Sequence, residues 1–155
     1  MFFIFMAITK KTFSVLIACD HAGFALKHFL ILELEKLGYS MIDLGCDDAQ
    51  NSVDYPDFAQ KLAKKIIAKK ARFGILICGS GVGISIAANR FKEVRAALCH
   101  NTKIAKLSRL HNDANVICLG ARLTAPKAAL AATKAFLTTN FEGARHEKRV
   151  AKLSK

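Results

Sequence analysis

The segment "GILICGSGVGISIAANR", residues 74–90, joins a short apolar run, a glycine-rich turn and the start of a helical pattern. The apolar run ends at Cys78, and Gly79, Gly81 and Gly83 follow within five positions. This order predicts a buried strand that passes through a tight turn into a helix. Glycines in such a turn permit positive φ and let backbone N–H groups approach an anion closely.

The glycine turn lacks the residues of the known nucleotide loops. A Walker loop places a lysine after its last glycine, and Ile84 stands there instead. The dinucleotide fingerprint needs its third glycine one residue later and an acid about twenty residues on, where Glu93 is the nearest candidate. A nucleotide-binding module is therefore disfavoured, while a structural turn and an anion-binding loop both stay open.

Short apolar runs alternate with helical patterns on both sides of this segment. Strands are predicted over residues 14–19, 39–45, 73–78, 95–100 and 115–120. Helices are predicted from about 22 to 38, from about 56, after the glycine turn, over 102–110, from about 126 to 137, and in the basic tail. Apolar strands that alternate with helices are typical of a parallel sheet buried on both faces. The sequence predicts a three-layer α/β/α Rossmann-like fold with a five-stranded parallel sheet.

The length of 155 residues suits a single domain. We assign that domain, with its basic C-terminal helix, to residues 14–155 and an N-terminal extension to residues 1–13. The extension begins apolar, but its lysines follow the apolar run, unlike those of a secretory signal. No apolar stretch approaches 18 residues, so no membrane span is expected. Five cysteines without C-x-x-C spacing argue against a disulfide framework and a zinc site, and favour a cytoplasmic location.

The net charge of +12 is unevenly distributed along the chain. Residues 1–59 carry four basic and eight acidic groups, whereas residues 60–155 carry twenty and four. Such a field attracts nucleic acid, a membrane surface or a phosphorylated small molecule. A basic nucleic-acid-binding protein is the alternative from another class. It is disfavoured because the lysine run over 61–70 fits a solvated helix face and no basic-aromatic motif occurs.

Ionisable residues follow several of the predicted strands, where open parallel sheets bind their ligands. The sequence places Asp20 and His21 after the first strand and Arg122 after the fifth. Asp20 could cap the following helix, bind phosphate with His21 or move protons. Cys78, at a strand end before a helix, could be a nucleophile or a base, with an inert buried thiol as the alternative. The inert interpretation is favoured for Cys19, Cys99 and Cys118.

Two basic groups stand further along the chain. His111 is placed in a polar turn before the fifth strand, where it could face a ligand or be a lone surface histidine. Arg145 and Arg149 lie four residues apart on a predicted helix, a spacing that brings both guanidinium groups to one face. That face suits a phosphate dianion, with an ordinary basic surface helix as the alternative.

Five ordered segments together resemble the ribose-5-phosphate isomerase type B family, which also includes the galactose-6-phosphate isomerase subunits. They are "ACDHAGFALK", "DYPDFA", "ILICGSGVGISIAANR", "LSRLHNDANVICLGAR" and "EGARHEKRV", and they span residues from about 14 to 150. The resemblance implies interconversion of D-ribose 5-phosphate and D-ribulose 5-phosphate through an enediolate, a pentose phosphate pathway step, without metal or organic cofactor. It also implies a homodimer or a dimer of dimers with shared active sites. A hexose-6-phosphate isomerase acting on allose or galactose phosphates stays open.

The resemblance also implies roles for individual residues. Cys78 is the expected base between C1 and C2, and Ser80 moves the proton between the two oxygens. His111, expected from the partner subunit, opens the furanose ring with help from Asp20. The expected binding residues are Gly79, Gly81, Gly83 and Asn112 at the enediolate oxygen, Tyr55 at the sugar, and His21, Arg145 and Arg149 at the phosphate, with Arg122 as a further candidate. Some members replace the cysteine by a glutamate after the last loop glycine; Ile84 stands there, so the chain resembles a cysteine-type member.

Overall fold

The computed structural model describes residues 13–154, and within them five parallel strands form one sheet. The strands are β1 (Ser14–Cys19), β2 (Ser40–Asp43), β3 (Phe73–Cys78), β4 (Ala96–Leu98) and β5 (Val116–Gly120). The helices are α1 (Phe24–Lys36), α2 (Tyr55–Ile67), α3 (Val82–Ala88), α4 (Thr102–Asn112), α5 (Pro126–Thr138) and α6 (Glu147–Leu153). One-turn 3₁₀ helices precede α1 at His21–Gly23 and α6 at Ala144–His146. The α/β fold class predicted from the sequence is confirmed.

The strand order is β2-β1-β3-β5-β4, so the direction of winding reverses between β1 and β3. The central pairings are in register from Val15 opposite Phe73 to Cys19 opposite Ile77, and from Gly74 opposite Val116 to Cys78 opposite Gly120. A crevice therefore opens beyond the carboxyl ends of β1 and β3, where open α/β sheets bind ligands.

Side chains of the central strands alternate between two buried clusters, one on each face of the sheet. On β1, Ile17 packs with Leu30 of α1 and Phe136 of α5, whereas Leu16 packs with Leu62 of α2 on the other face. This alternation is what a strand covered on both faces requires. Helices α1, α4 and α5 thus cover one face and α2 and α3 the other, which gives the three predicted layers.

Helix α2 carries three lysines of the run over 61–70 that the sequence predicts to be a solvated face. Its apolar side, with Ala59, Leu62 and Ala63, is buried against the sheet. Its lysines at positions 61, 64 and 65, and those at 69 and 70 beyond it, are exposed. The run is therefore a solvated face, as expected from the sequence. Among residues 13–154, we find no helix with the length and apolar character needed to span a bilayer.

The two edge strands are shorter than predicted. Gly45 has φ of 104°, which takes the backbone out of the extended region after β2. Strand β4 pairs only with β5 and keeps three residues. The predicted extension over residues 1–13 lies outside the described residues except for Phe13, whose ring packs against Tyr39 with ring centroids 5.4 Å apart.

Candidate functional site

Most of the residues predicted at the carboxyl edge of the sheet line one cavity of about 530 Å³. Its lining consists of Asp20, Tyr55, Cys78, Gly79, Ser80, Val82, Gly83, Arg122 and Leu123. A larger cavity of about 740 Å³ opens near the start of β3, between Lys69, Arg72 and Arg95. The smaller cavity is the candidate site, because it lies at the switch in strand order and holds the groups that can do chemistry.

Cys78 ends β3 and points its thiol into the glycine turn. The backbone N–H of Gly81 donates to its Sγ at 3.1 Å, and the residue is 4% exposed. The sulfur of Cys78 therefore lies against the backbone of the loop. Gly81 adopts φ of 78°, and a Cβ there would lie 2.6 Å from Cδ1 of Leu98 and 2.9 Å from the carbonyl carbon of Leu119. The turn that delivers this N–H therefore requires glycine.

Three other thiols have environments that disfavour ionisation. Burial raises the pKa of Cys19 to about 12 and that of Cys99 to about 11. Burial also raises the pKa of Cys118, which lies in the core. A thiol with a raised pKa is a poor nucleophile and a poor base near neutral pH. The expectation that these three cysteines are inert packing residues is supported.

Two further glycines of the turn are contacted by side chains of the cavity. A Cβ on Gly83 would lie 2.5 Å from Cζ of Tyr55, and one on Gly79 would lie 3.0 Å from Nη1 of Arg122. The phenol ring and the guanidinium group thus lie directly against the loop backbone. Tyr55 thus lies at Gly83 and Arg122 at Gly79. Residue spacing in the sequence does not reveal that these side chains contact the turn.

Asp20 and His21 follow β1 at the same edge. The Oδ1 atom of Asp20 accepts hydrogen bonds from the N–H groups of Ala22 at 3.0 Å and Gly23 at 3.2 Å, so Asp20 caps the 3₁₀ turn. Nδ1 of His21 accepts from the N–H of Val53 at 3.2 Å. In the neutral ring this contact places the proton on Nε2, which leaves a donor free for an anion.

His111 is part of a helix, and its predicted position in a polar turn is wrong. It lies in the last turn of α4, which ends at Asn112 and is followed by Asp113 with φ of 45°. Arg145 and Arg149 also differ from prediction, since Arg145 belongs to the 3₁₀ turn and only Arg149 lies in α6. The two arginines thus do not share one continuous α-helix.

One chain does not bring all the predicted residues together. His111 and Asn112 end a helix that leads into the start of β5, whereas Cys78 is paired with Gly120 at the other end of that strand. A strand of five residues spans roughly 16 Å. Segment 142–149, which carries Arg145, lies beside the end of α4, because the N–H of Glu142 donates to the carbonyl of Leu110 at 3.1 Å. The predicted residues thus form a carboxyl-edge group around Cys78 and an opposite-edge group of His111, Asn112, Arg145 and Arg149.

Two side chains that the sequence analysis did not single out complete the opposite-edge group. The rings of His111 and His146 stack with centroids 4.3 Å apart, and Oε2 of Glu142 lies 3.8 Å and 3.9 Å from their Nε2 atoms. Burial, together with the nearby His111, Arg145 and Arg149, lowers the pKa of His146, against a raising effect of Glu142. His146 is therefore a neutral imidazole at neutral pH. The four-residue separation of Glu142 and His146 is the signal that could have indicated their proximity.

Comparison with known proteins decides the family. A family model described as Ribose/Galactose Isomerase matches residues 15–153. The chain belongs to this family. Ribose-5-phosphate isomerase B of Escherichia coli (strain K12) is 43% identical over 132 residues, which are 85% of this chain and 88% of the relative.

Solved structures of the ribose/galactose isomerase family share the fold. Ribose 5-phosphate isomerase B from Anaplasma phagocytophilum superposes with a TM-score of 0.87 at 48% identity and covers 92% of this chain and 97% of its own. The Mycoplasma genitalium enzyme, solved with bound ribulose-5-phosphate, gives a TM-score of 0.87 at 40% identity, over 92% and 94% of the two chains. The family resemblance stated from the sequence motifs is confirmed.

Proposed function

We propose that this chain is a ribose-5-phosphate isomerase that interconverts D-ribose 5-phosphate and D-ribulose 5-phosphate. The relatives named for this activity support the substrate class. The observation that carries the proposal is the contact between the Cys78 thiol and the Gly81 N–H, 3.1 Å apart beside a cavity at the switch point. It combines a base with a donor-rich loop, the two elements that aldose–ketose isomerisation requires.

Cys78 is proposed as the base of the carbon proton transfer. In the direction from aldose to ketose, its thiolate removes the proton from C2 of the open-chain sugar. The electron pair of that C–H bond forms the C1=C2 double bond, and the carbonyl electron pair moves onto the C1 oxygen. The result is an enediolate with a neutral thiol. The hydroxyl proton on the C2 oxygen then passes to the C1 oxygen. The C1=C2 electron pair takes the proton from the thiol at C1, and a lone pair of the C2 oxygen forms the ketone, which restores the thiolate. Proton transfer by a positioned group contributes roughly a hundred- to ten-thousandfold in rate.

The glycine turn is proposed to stabilise the negative oxygen of the enediolate. Helix α3 begins at Val82, so the N–H groups of Gly79, Gly81 and Gly83 precede or start a helix, where backbone donors lack an intrahelical acceptor. The Gly81 N–H, which contacts Sγ of Cys78, would be shared between the thiol and the oxygen. Ser80 would carry the proton between the two oxygens. Its Oγ accepts from the Val82 N–H at 3.2 Å, which leaves the hydroxyl hydrogen available to the substrate. Loss of one oxyanion donor typically costs roughly a hundred- to a thousandfold in rate.

The opposite-edge group is proposed to serve the site of a second copy of the chain. His111 would open the furanose ring there with Asp20, Asn112 would contribute to the oxyanion site, and Arg145 and Arg149 would bind the phosphate with His21. Exposed apolar side chains support a covering partner, since Val82 is 45% and Leu123 67% exposed at the rim of the cavity. A homodimer, or a dimer of dimers, follows from this proposal.

The experiment that tests the function is a coupled assay on ribose 5-phosphate with wild type, Cys78→Ala and Cys78→Ser. Turnover is expected to fall at least a hundredfold in both variants, because the base is lost. Cys99→Ala is the matched control, since it removes a buried thiol whose pKa is raised. Circular dichroism confirms that all variants fold. Turnover by Cys78→Ala at the wild-type rate would contradict the proposed role of Cys78. If the wild type turns over allose or galactose 6-phosphate faster than ribose 5-phosphate, the substrate is a hexose phosphate and not a pentose phosphate.

A further inference from the structure

Three potential metal ligands converge at the opposite edge of the sheet. The ligand atoms of His111, Glu142 and His146 all lie within 4.8 Å of one another. Oε2 of Glu142 lies 3.8 Å from Nε2 of His111 and 3.9 Å from Nε2 of His146. Two imidazoles and one carboxylate form a common ligand set of zinc sites that keep an open position.

The backbone holds the three ligands in place before any ion arrives. His111 lies in the last turn of α4, and the Glu142 N–H is hydrogen-bonded to the carbonyl of Leu110, the residue before His111. The N–H of His146 is bonded to the carbonyl of Gly143 at 3.0 Å, which fixes the 3₁₀ turn. The side chain of His146 is 7% exposed, so its ring has little freedom to leave the cluster.

We propose that His111, Glu142 and His146 bind a transition-metal dication of the zinc class, and that the bound ion inhibits the isomerase. Inhibition follows because an ion on the His111 imidazole takes up the lone pair that ring opening requires. This second part rests on the role proposed above for His111. Imidazole ligands favour zinc, copper and nickel, whereas magnesium and calcium prefer oxygen ligands. Magnesium is therefore expected not to bind.

The geometry must change in two ways to accept the ion. The stacked rings of His111 and His146 lie 12° from parallel, so one ring must tilt before both Nε2 lone pairs point at one ion. The side chain of His111 is 37% exposed, which gives this ring room to tilt. Ligand atoms at 2.0–2.1 Å from a tetrahedral zinc ion stand about 3.4 Å from one another. The two nitrogen–oxygen separations must therefore shrink by about half an ångström. Glu142 can supply this movement, because its side chain is 48% exposed.

The positive charge of two nearby arginines opposes the binding of a cation and lowers its affinity. Nε of Arg145 lies 3.4 Å from Nε2 of His146 and must move away when that nitrogen binds a metal. Arg149 follows His146 by three residues in α6, a spacing that brings its charge near the cluster. With both arginines nearby, the carboxylate of Glu142 supplies the negative charge of the ligand set. Glu142 is therefore the residue whose removal should weaken binding most selectively.

The test is a calorimetric titration of zinc chloride into the full chain in a phosphate-free buffer. The Cys78→Ser background removes the one thiol of the candidate site, and Glu142→Gln and His146→Gln are compared in that background. We expect one ion per chain, and at least a tenfold loss of affinity in each variant, in line with the effect of removing supporting metal-site residues. Magnesium chloride is the control ion. Zinc binding that survives Glu142→Gln and His146→Gln overturns the proposed site.

The inhibitory part is tested separately on the Cys78-containing chain. Zinc should lower turnover of ribose 5-phosphate, and Glu142→Gln should raise the half-inhibitory zinc concentration at least tenfold relative to its own metal-free rate. Equal inhibition of wild type and Glu142→Gln assigns the effect to another site, such as Cys78, and overturns this part. Because the titration contains no substrate, a failure of the isomerase assignment would leave its outcome unaffected.

Discussion

The backbone conformation of Gly81 determines which group contacts the Cys78 thiol. Its positive φ aims the N–H at Sγ of Cys78, and its missing side chain lets β5 pass within contact distance. The motif indicated a loop that could bind an anion, but it did not indicate that a loop amide binds the thiol. That contact depends on the final direction of the Cys78 side chain, which a strand pattern leaves undetermined.

Gly81→Ala is expected to lower the free energy of unfolding by about 1 to 3 kcal/mol, because alanine is strained at positive φ and its Cβ meets β5. Urea denaturation measures this loss. The control is Gly79→Ala, whose φ is not positive and whose Cβ would meet only the flexible end of Arg122. Equal stability of the Gly81 and Gly79 variants would refute the assignment of strain to Gly81.

Helix α4 ends in an ion pair between the buried Arg109 and the partly exposed Asp113, close to His111. Arg109 is 1% exposed, donates from Nη1 to Asp113 at 2.8 Å and from Nε to the carbonyl of Thr139 at 3.1 Å, and lies over the ring of Phe73. Burial lowers the pKa of Arg109, and Asp113 opposes that effect. The end of the helix is thus tied to the segment after α5 and, through it, to Glu142 and His146.

Asp113→Asn keeps a side chain that tolerates the left-handed conformation but removes the charge beside Arg109. We expect a loss of about 2 to 4 kcal/mol in the free energy of unfolding, because a buried guanidinium loses its counter-charge. Thermal or urea unfolding measures it. Glu33→Gln breaks the exposed Glu33–Lys36 pair and should cost no more than about 0.5 kcal/mol. A cost for Asp113→Asn as small as that of the control would show that the buried pair does not hold α4.

The elements themselves were largely predictable, because apolar runs of five or six residues alternate with helical patterns. The prediction failed where a polar sequence forms regular structure. The polar sequence around His111 predicts a turn, since arginine, histidine and asparagine usually face solvent. The helix continues there because Arg109 is buried by aromatic stacking and Asp113 ends the helix. Such burial depends on Phe73 and Thr139, which are distant in the sequence.

At the scale of the whole molecule, the residues predicted for one site lie at two edges of the sheet. The motifs supply the candidate residues as a set, but a single chain separates Cys78 from His111 by about the length of a strand. No spacing within one sequence can show that two copies combine their edges. The central claim is therefore that each active site takes Cys78 from one chain and His111 from another.

Subunit complementation tests this claim most directly. Cys78→Ala and His111→Asn chains are each expected to be nearly inactive toward ribose 5-phosphate. When equal amounts are unfolded together and refolded, half of the dimers are mixed, and each mixed dimer has one intact site. A site shared between two chains predicts recovery of about one quarter of wild-type turnover in the mixture. Turnover no higher than that of the separately refolded variants, with mixed dimers demonstrated by differential tagging, would contradict the shared site.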